Sequence, residues 1–261
     1  MIMDYEGFKK EIYKLSGIDL SAYKEKQMKR RLDSLISKNN FKDYFTYVNA
    51  LKVNVSLYNE FINFMTINVS EFYRNPDQWG KLKTVILPML LEKNKVLKIW
   101  SAACSSGDEP YTLVMVLNEI MPLQNIKILA TDIDRDILEK AKSGVYSDKS
   151  VVNLPDEYKR KYFDVNGNLY KVKDEVKNCV EFKHHNLLAD PYPTNCDLIV
   201  CRNVLIYFTE EAKTSIYMKF NASLKNGSIL FVGSTEQIIL CNKYGFKSVQ
   251  TFFYQKERDI T

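Results

Sequence analysis

The first 75 residues carry the apolar spacing of helices and no strand-like run. The clearest case is Tyr23–Ser37, whose apolar residues recur at i, i+4, i+7 and i+8: Met28, Leu32, Leu35 and Ile36. This spacing places the four side chains on one face of an amphipathic helix. The pattern therefore predicts an all-α amino-terminal domain over residues 1–75.

After Trp79 the pattern changes to short apolar runs that alternate with helical spacing. The predicted strands are Val96–Ser101, Ile126–Thr131, Cys196–Cys201, Ser228–Val232 and Ser248–Tyr254. The predicted helices are Glu109–Ile120, Arg135–Lys142 and Glu210–Leu224. Strands that alternate with helices indicate an α/β domain with a largely parallel sheet. This second domain is predicted to cover residues 76–261.

One segment of the second domain has the pattern of an antiparallel hairpin. Asn166-Gly167 is a strong turn signal, and it is followed by the alternating residues Leu169, Tyr170 and Val172. The pattern predicts a small β-subdomain inserted at about residues 158–183.

Composition narrows the class of protein. The chain has 261 residues, of which 46% are hydrophobic and 26% charged, values typical of a globular protein. Its five cysteines include no CxxC pair, so we expect neither a disulfide framework nor a metal site. No apolar signal core starts the chain, and no run approaches the roughly 18 apolar residues of a membrane span. We expect a cytoplasmic protein that does not insert into the membrane.

The positive charge is concentrated on one predicted helix. The net charge is +5, and Ser21–Lys42 alone contains seven Lys or Arg against Glu25 and Asp33. Such a helix face is either simply solvated or a docking surface for an acidic partner. Charge alone leaves both interpretations open.

The sequence KIWSAACSSGDEPYTLVM, from Lys98 to Met115, interrupts the apolar core where the first strand ends. Ligands of open α/β sheets lie outside the carboxyl ends of the strands, and Gly107 permits a tight turn there. Asp108 and Glu109 crowd the start of the next helix, a position that a pyrophosphate-binding site would leave free of acids. We interpret Asp108 as a helix cap and Glu109 as a candidate ligand contact.

Two further polar clusters follow predicted strands. Asp132 lies at the end of the second strand, where a carboxylate can bind ribose hydroxyls, whereas Asp134 is explained as the cap of the following helix. Arg202 and Asn203 directly follow the strand Cys196–Cys201. A ribose-binding acid without a phosphate-binding loop suggests S-adenosylmethionine.

Together these motifs resemble the CheR-type chemotaxis receptor methyltransferases. The matching blocks are INVSEFYR (Ile67–Arg74), IWSAACSSGDEPYTL (Ile99–Leu113), ATDID (Ala130–Asp134), HNLL (His185–Leu188), CRNVLIYF (Cys201–Phe208) and VGSTE (Val232–Glu236). The resemblance implies a class I, Rossmann-like methyltransferase domain with a small antiparallel β-subdomain, preceded by an all-α domain. It implies a protein-glutamate O-methyltransferase that methylates methyl-accepting chemotaxis receptors.

The resemblance also implies site residues. Those expected to contact the cofactor are Asn68, Ser70, Arg74, Glu109, Asp132, Asn186, Leu187, Arg202 and Asn203. We expect Arg74 or Arg202 to orient groups around the transferred methyl; for Tyr207 a place in the same pocket and a place in the core stay open. The family uses the basic helix against the acidic methylation region of the receptor, which favours docking through Lys26, Lys29, Arg30 and Arg31.

At two places the sequence departs from the pattern of its relatives. Many relatives have glycine where Ala103 stands, so we expect a turn with negative φ there. The Asn166-Gly167 hairpin looks tighter than the loop of relatives that bind a receptor tether peptide, which indicates tether-independent activity.

A nucleic-acid methyltransferase is disfavoured because no DPPY- or NPPY-like motif occurs. A non-catalytic module is the other alternative, and the intact motifs argue mildly against it.

Overall fold

The computed structural model describes residues 3–260. These residues form two compact units. The first comprises the described residues up to Ile67 together with Tyr207–Ser215; the second comprises Asn68–Ile206 and the described residues from Ile216 onward.

The first unit is built on four helices: α1 Tyr5–Ser16, α2 Glu25–Lys38, α3 Tyr44–Val53 and α4 Val55–Thr66. Side chains cap three of their amino termini, because Asp4, Asp43 and Asn54 accept hydrogen bonds from first-turn backbone N–H groups. The four apolar residues predicted to share a face of α2 are all buried, which confirms the amphipathic helix. Its charged side, including Lys26 and Arg30, is exposed.

The second unit carries the remaining elements, except that residues 210–215 at the start of α11 belong to the first unit. Its first helical segments are α5 Pro76–Lys81, a π-helical turn over Leu82–Ile86 and α6 Leu87–Leu91. The following elements, listed in chain order, are β1 Ile99–Ala102, α7 Asp108–Leu117, β2 Ile128–Asp132, α8 Arg135–Ser143, β3 Val145–Ser147, α9 Asp156–Tyr162, β4 Phe163–Asn166, β5 Leu169–Val172, α10 Asp174–Lys177, β6 Val180–His184, β7 Cys196–Cys201, α11 Glu210–Ser223, β8 Leu224–Val232, β9 Phe246–Gln250 and β10 Phe253–Lys256.

Seven of these strands form the main sheet in the order β6-β2-β1-β7-β8-β10-β9. The first five are parallel to one another, and every residue of β1 and β7 is buried, as expected for central strands covered on both faces. The order reverses between β1 and β7, and ligands of such sheets bind at this switch point. The predicted α/β class with a largely parallel sheet is confirmed.

The prediction of one strand over Ser248–Tyr254 is wrong. The segment is an antiparallel hairpin of β9 and β10, which are separated at Thr251 and Phe252. Phe252 adopts a left-handed conformation with φ 72°, and its carbonyl accepts a hydrogen bond from the Val232 N–H. A turn made by Thr and Phe carries none of the usual Gly, Asn or Pro signals, so the pattern concealed it.

A separate three-stranded antiparallel sheet has the order β3-β5-β4. Gly167, with a φ of 57°, and Asn168 connect β4 to β5 directly after Asn166, where the turn was predicted. The structure differs from the predicted extent at both ends, because β3 precedes residue 158 and β6 pairs with β2 in the main sheet. The small antiparallel subdomain itself is as predicted.

Residues 68–75, which the sequence pattern assigned to the first domain, pack with the second unit. Phe72 is fully buried in the core of that unit, and its N–H donates to the Ser150 carbonyl. The Tyr73 N–H donates to the Thr112 hydroxyl at 3.1 Å. These contacts explain why the first unit ends at Ile67.

Candidate functional site

The loop after β1 winds through three left-handed residues at alternate positions. The φ angles are 63° at Ala103, 48° at Ser105 and 90° at Gly107. The expectation of a negative φ at Ala103 is wrong. The Cys104 N–H donates to the Thr131 carbonyl at 2.9 Å, and this bond ties the loop to the end of β2 in a path that requires the left-handed turn. That conformation costs alanine about 1 kcal/mol, a cost that glycine avoids.

Gly107 is required by close packing as well as by its backbone. A Cβ at this position would lie 2.9 Å from the Tyr146 hydroxyl and 3.0 Å from the Ala141 Cβ. The loop is therefore pressed against α8, and its turn depends on the absence of a side chain, as predicted.

Asp132 closes β2 beside this loop. Its Oδ2 accepts the Ser105 N–H at 2.8 Å, and its Oδ1 accepts the Asp134 N–H at 3.0 Å. Burial raises the pKa of Asp132 to about 6, although the backbone hydrogen bonds partly oppose that effect. Each oxygen keeps a second lone pair, so the carboxylate can accept further donors.

Asp134 caps α8, as predicted, since its Oδ1 accepts the Asp136 and Ile137 N–H groups. Its Oδ2 accepts a hydrogen bond from the Asn68 side chain at 2.7 Å, and the Ser105 hydroxyl lies 3.4 Å from the Asn68 Oδ1. The segment that begins at Asn68 is thereby fastened to the ends of β1 and β2. Periodicity had given no sign of Asn68; only the family motif pointed to it.

Asn186 and Leu187 follow β6, which pairs with β2. The His185 N–H donates to the Asp132 carbonyl, so Asn186 and Leu187 follow directly after a residue that contacts the end of β2. The Asn186 Oδ1 accepts the Leu188 N–H at 2.9 Å, and both Asn186 and Leu187 are buried. The turn is thus fixed by its own side chain.

The two acids at the start of α7 have separate partners. The interpretation of Asp108 as a helix cap is wrong, because Gly107 holds the cap position of α7 and no side chain caps the helix. The buried Asp108 accepts the Ser106 hydroxyl instead. Burial raises the pKa of Asp108, and the side chains of Ser106 and Ser70 partly offset the rise. Glu109 accepts the Ser101 hydroxyl at 2.9 Å and pairs with Arg202 at 3.6 Å. Burial raises the pKa of Glu109 to about 7 against the opposing effect of Arg202.

Arg202 is buried at the end of β7, where it holds the segment after Arg74. Its Nη2 lies 2.9 Å from the Arg74 carbonyl oxygen, 3.1 Å from the Asn75 Oδ1 and 2.9 Å from the Gln78 Oε1. Burial lowers the pKa of Arg202, and the nearby Glu109 raises it. In contrast to Arg202, Arg74 has a side chain that is 36% exposed.

Asn203 follows in a left-handed conformation with φ 62°. Its N–H donates at 2.6 Å to Glu236, a buried residue on the loop after β8. Sequence patterns had not singled out Glu236 as a site residue, since one glutamate in a polar loop carries no periodic signal.

Tyr207 and the basic residues of α2 belong to the first unit. Lys24, Arg30, Arg31 and Tyr207 are among the residues that line a cavity of about 200 Å³ there. Tyr207 is half-buried, and its carbonyl accepts the Lys24 N–H at 2.9 Å. Tyr207 therefore does not lie entirely within the core.

The four predicted docking residues of α2 fall into two groups. Lys26, Lys29 and Arg30 are exposed. Arg31 is half-buried, donates to the Phe64 carbonyl and lies 4.7 Å from the centre of the Phe64 ring. Its guanidinium satisfies one of the last carbonyls of α4, a role within the unit.

The residues at the carboxyl end of β2 fit the ribose of S-adenosylmethionine. Asp132 offers two oxygens with available lone pairs beside the backbone of a loop that carries only small side chains. The acids at the start of α7 suit a cationic ligand rather than a phosphate. Within residues 3–260, no group of three or more His, Cys, Asp or Glu is arranged to hold a metal ion. Over the same residues, no helix is long and apolar enough to cross a membrane.

Comparisons with known proteins match both units. The family model for the CheR methyltransferase SAM binding domain matches residues 68–254, and the model for the CheR methyltransferase all-alpha domain matches residues 3–66. A chemotaxis protein methyltransferase of Listeria innocua is 41% identical and covers 97% of both chains. Relatives with the same name from Borreliella burgdorferi and Escherichia coli are 38% and 33% identical; they cover 88% and 86% of this chain, and the matches span 86% and 81% of those proteins.

Proposed function

Since the chain belongs to the CheR methyltransferase family, we propose that the carboxyl edge of its main sheet binds S-adenosylmethionine for methyl transfer to glutamate side chains of chemotaxis receptors. The family, the fold class and the enzyme class predicted from the sequence motifs are confirmed. The assignment of individual residues to the cofactor and to the receptor belongs to the proposal.

One observation carries the cofactor assignment. The buried carboxylate of Asp132 lies at the end of β2, next to the left-handed loop after β1 and at the edge where parallel α/β sheets bind ligands. Asn68 donates to Asp134 and Ser105 donates to Asp132 at the same edge, and the N–H of His185, which precedes Asn186, donates to the Asp132 carbonyl. We assign the ribose hydroxyls to Asp132.

The remaining contacts follow the family motifs. Arg74, Glu109, Arg202 and Asn203 surround the end of β7, on the other side of β1. Glu109 is the acid for the cationic amino group of the cofactor. Asn68 lies beside Asp134 after β2, Ser70 beside Asp108 at the start of α7, and Asn186 and Leu187 follow β6; we assign these four residues to the cofactor as well.

Bound S-adenosylmethionine supplies an activated methyl group on a sulfonium sulfur. The acceptor glutamate has an ordinary pKa of about 4.3 and is ionised at neutral pH, so the protein need not provide a general base. The side chains therefore contribute mainly by aligning the carboxylate oxygen with the methyl carbon.

Arg74 and Arg202 have different roles in this alignment. The partly exposed Arg74 side chain steers the substrate carboxylate, whereas the buried Arg202 holds the Arg74 carbonyl and the Asn75 and Gln78 side chains. Arg202 is thus a positioning residue for the turn that presents Arg74. That Tyr207 lines the pocket of the transferred methyl stays a prediction.

The receptor is engaged by the exposed basic residues of α2. Lys26, Lys29 and Arg30 present positive charge to solvent, and the receptor's methylation region is acidic in this family. Arg31 supports that surface from within through its bond to Phe64.

The short β4–β5 turn supports activity without a receptor tether peptide. Asn166 pairs with Leu169, so only Gly167 and Asn168 lie between the two strands. A turn of this length offers little surface on which a peptide could bind.

The test is isothermal titration calorimetry of the protein with S-adenosylhomocysteine, with Asp132→Ala measured beside it. We expect the wild type to bind and the variant to lose at least tenfold in affinity, because the ribose loses its charged acceptor. Equal binding by both would refute the role of Asp132. No binding by the wild type would favour a non-catalytic module instead.

A further inference from the structure

Glu236 is a buried carboxylate whose hydrogen bonds go to the backbone of two loops at the cofactor edge. Its Oε2 accepts the N–H groups of Asn203 at 2.6 Å and Gly233 at 2.9 Å. Its Oε1 accepts the Leu205 N–H at 2.6 Å. The side chain therefore joins the loop after β8 to the segment that follows β7.

That segment needs an external anchor. Asn203 has a φ of 62°, outside the conformations that a non-glycine residue prefers. The chain then enters a short 3₁₀ turn at Leu205, so regular strand hydrogen bonds do not continue past Cys201. Glu236 accepts hydrogen bonds from the N–H groups of both Asn203 and Leu205 and so fixes the backbone conformation between them.

The loop after β8 packs closely against the segment after β7 at Gly233. A Cβ on Gly233 would lie 2.6 Å from the Glu236 Oε2 and 2.8 Å from the Asn203 nitrogen. Real Cβ atoms do not tolerate such distances, so the absence of a side chain at 233 is what allows the carboxylate to reach the Asn203 N–H.

We propose that Glu236 is a positioning residue for cofactor binding: it holds Asn203 in the left-handed conformation that turns this residue toward the cofactor. The inference rests on the proposed function, in which Asn203 and Arg202 contact S-adenosylmethionine. Glu236 itself bonds the backbone, so its effect on the cofactor passes through Asn203.

The test compares Glu236→Gln with Asp197→Asn. Glutamine replaces one oxygen by an NH₂ group, which must face at least one of the three N–H donors, so at least one of these hydrogen bonds is lost. Asp197 is a matched control because it is also a buried carboxylate, at the other end of β7, where it accepts the Lys98 N–H at 2.8 Å and the Lys225 ammonium. Both variants lose buried hydrogen bonds, and only one lies at the cofactor edge.

We expect both variants to lower the Tm, whereas only Glu236→Gln raises the KM for S-adenosylmethionine and the Kd for S-adenosylhomocysteine, by tenfold or more, with kcat changed less than threefold. Asp197→Asn should leave the KM and the Kd within twofold of wild type. A Glu236→Gln protein that loses thermal stability and keeps both constants within twofold would overturn the proposal.

A milder variant carries the test if Glu236→Gln does not fold. Glu236→Asp keeps the charge and is too short to reach all three donors. It should raise the KM for S-adenosylmethionine; a wild-type KM in a folded Glu236→Asp protein would overturn the proposal. Failure of the wild type to bind S-adenosylhomocysteine would instead refute the proposed function, together with this inference.

Discussion

In the proposed cofactor site, burial of the Asp132 carboxylate affects the pH at which it can bind the ribose. Burial raises its pKa to about 6 from an ordinary value near 4. The ionised form is the better acceptor for ribose hydroxyls, so bound cofactor favours ionisation, and affinity falls as the pH drops below about 6. Above that pH the carboxylate is charged and the affinity contribution is complete.

The corresponding prediction concerns Asp132→Asn. Its affinity for S-adenosylhomocysteine should be about tenfold below that of the wild type at about pH 8, and the ratio should shrink toward unity at about pH 5. Calorimetric titrations at both pH values measure this ratio. Glu109 also has a raised pKa, about 7, and is present in both proteins, so its effect cancels in the ratio. A ratio independent of pH would contradict the account.

Individual acids were within reach of sequence reasoning, because strand ends and helix starts give carboxylates recognisable positions. Asp134 caps α8 as predicted, and Asp132 closes β2. Glu236 and Ser105 were not within reach, since their partners are groups far along the chain, at Asn203 and Asp132 respectively. No local pattern records such pairings.

At the scale of elements, the loop after β1 carries strain that glycine can relieve. Ala103 is left-handed, so Ala103→Gly removes an unfavourable conformation from the folded state while it adds entropy to the unfolded state. The two effects nearly cancel, and we expect the free energy of unfolding to change by less than about 0.5 kcal/mol.

The control is Ala102→Gly, one residue earlier in the buried strand β1. There the backbone is not left-handed and glycine only weakens the strand, so a loss of about 1 kcal/mol or more is expected. Urea unfolding of both variants gives the comparison. An Ala103→Gly loss as large as that of Ala102→Gly would show that the left-handed turn is not strained.

Helix α2 supplies the second prediction at this scale. Reversal of charge in the Lys26→Glu, Arg30→Glu double variant should raise the KM for an acidic receptor fragment about tenfold, with little change in S-adenosylhomocysteine affinity. The Lys10→Glu, Lys14→Glu double variant reverses two exposed lysines of α1; it is the matched charge control and should have a much smaller effect. The effect of the double variant should fall as salt rises, because exposed charges are screened. A KM unchanged by the double variant would remove the docking role from α2.

The elements themselves were largely predictable, and the exceptions have a physical cause. Strand β7 and helix α8 follow the predicted runs closely because apolar periodicity and a side-chain cap define them. The β9–β10 hairpin was missed because its turn at Phe252 is stabilised by the Val232 N–H rather than by turn-forming residues. Tertiary bonds of this kind leave no mark in the local sequence.

For the molecule as a whole, the proposed function assigns separate tasks to the two compact units. The sheet unit holds the residues assigned to the cofactor, and the helical unit carries the basic residues assigned to the receptor. The segment Tyr207–Ser215 belongs to the helical unit although it follows β7 in the chain, an assignment that requires contacts distant in sequence. Periodicity alone could only divide the chain at a single point.

The most direct test of the central claim is methyl transfer from labelled S-adenosylmethionine to a cytoplasmic receptor fragment, followed by alkaline treatment. We predict label on the fragment that alkali releases as methanol, as required for a glutamate methyl ester, at similar rates with and without the receptor's carboxyl-terminal peptide. Label that resists alkali, or no label on either fragment by a protein that binds S-adenosylhomocysteine, would contradict the account.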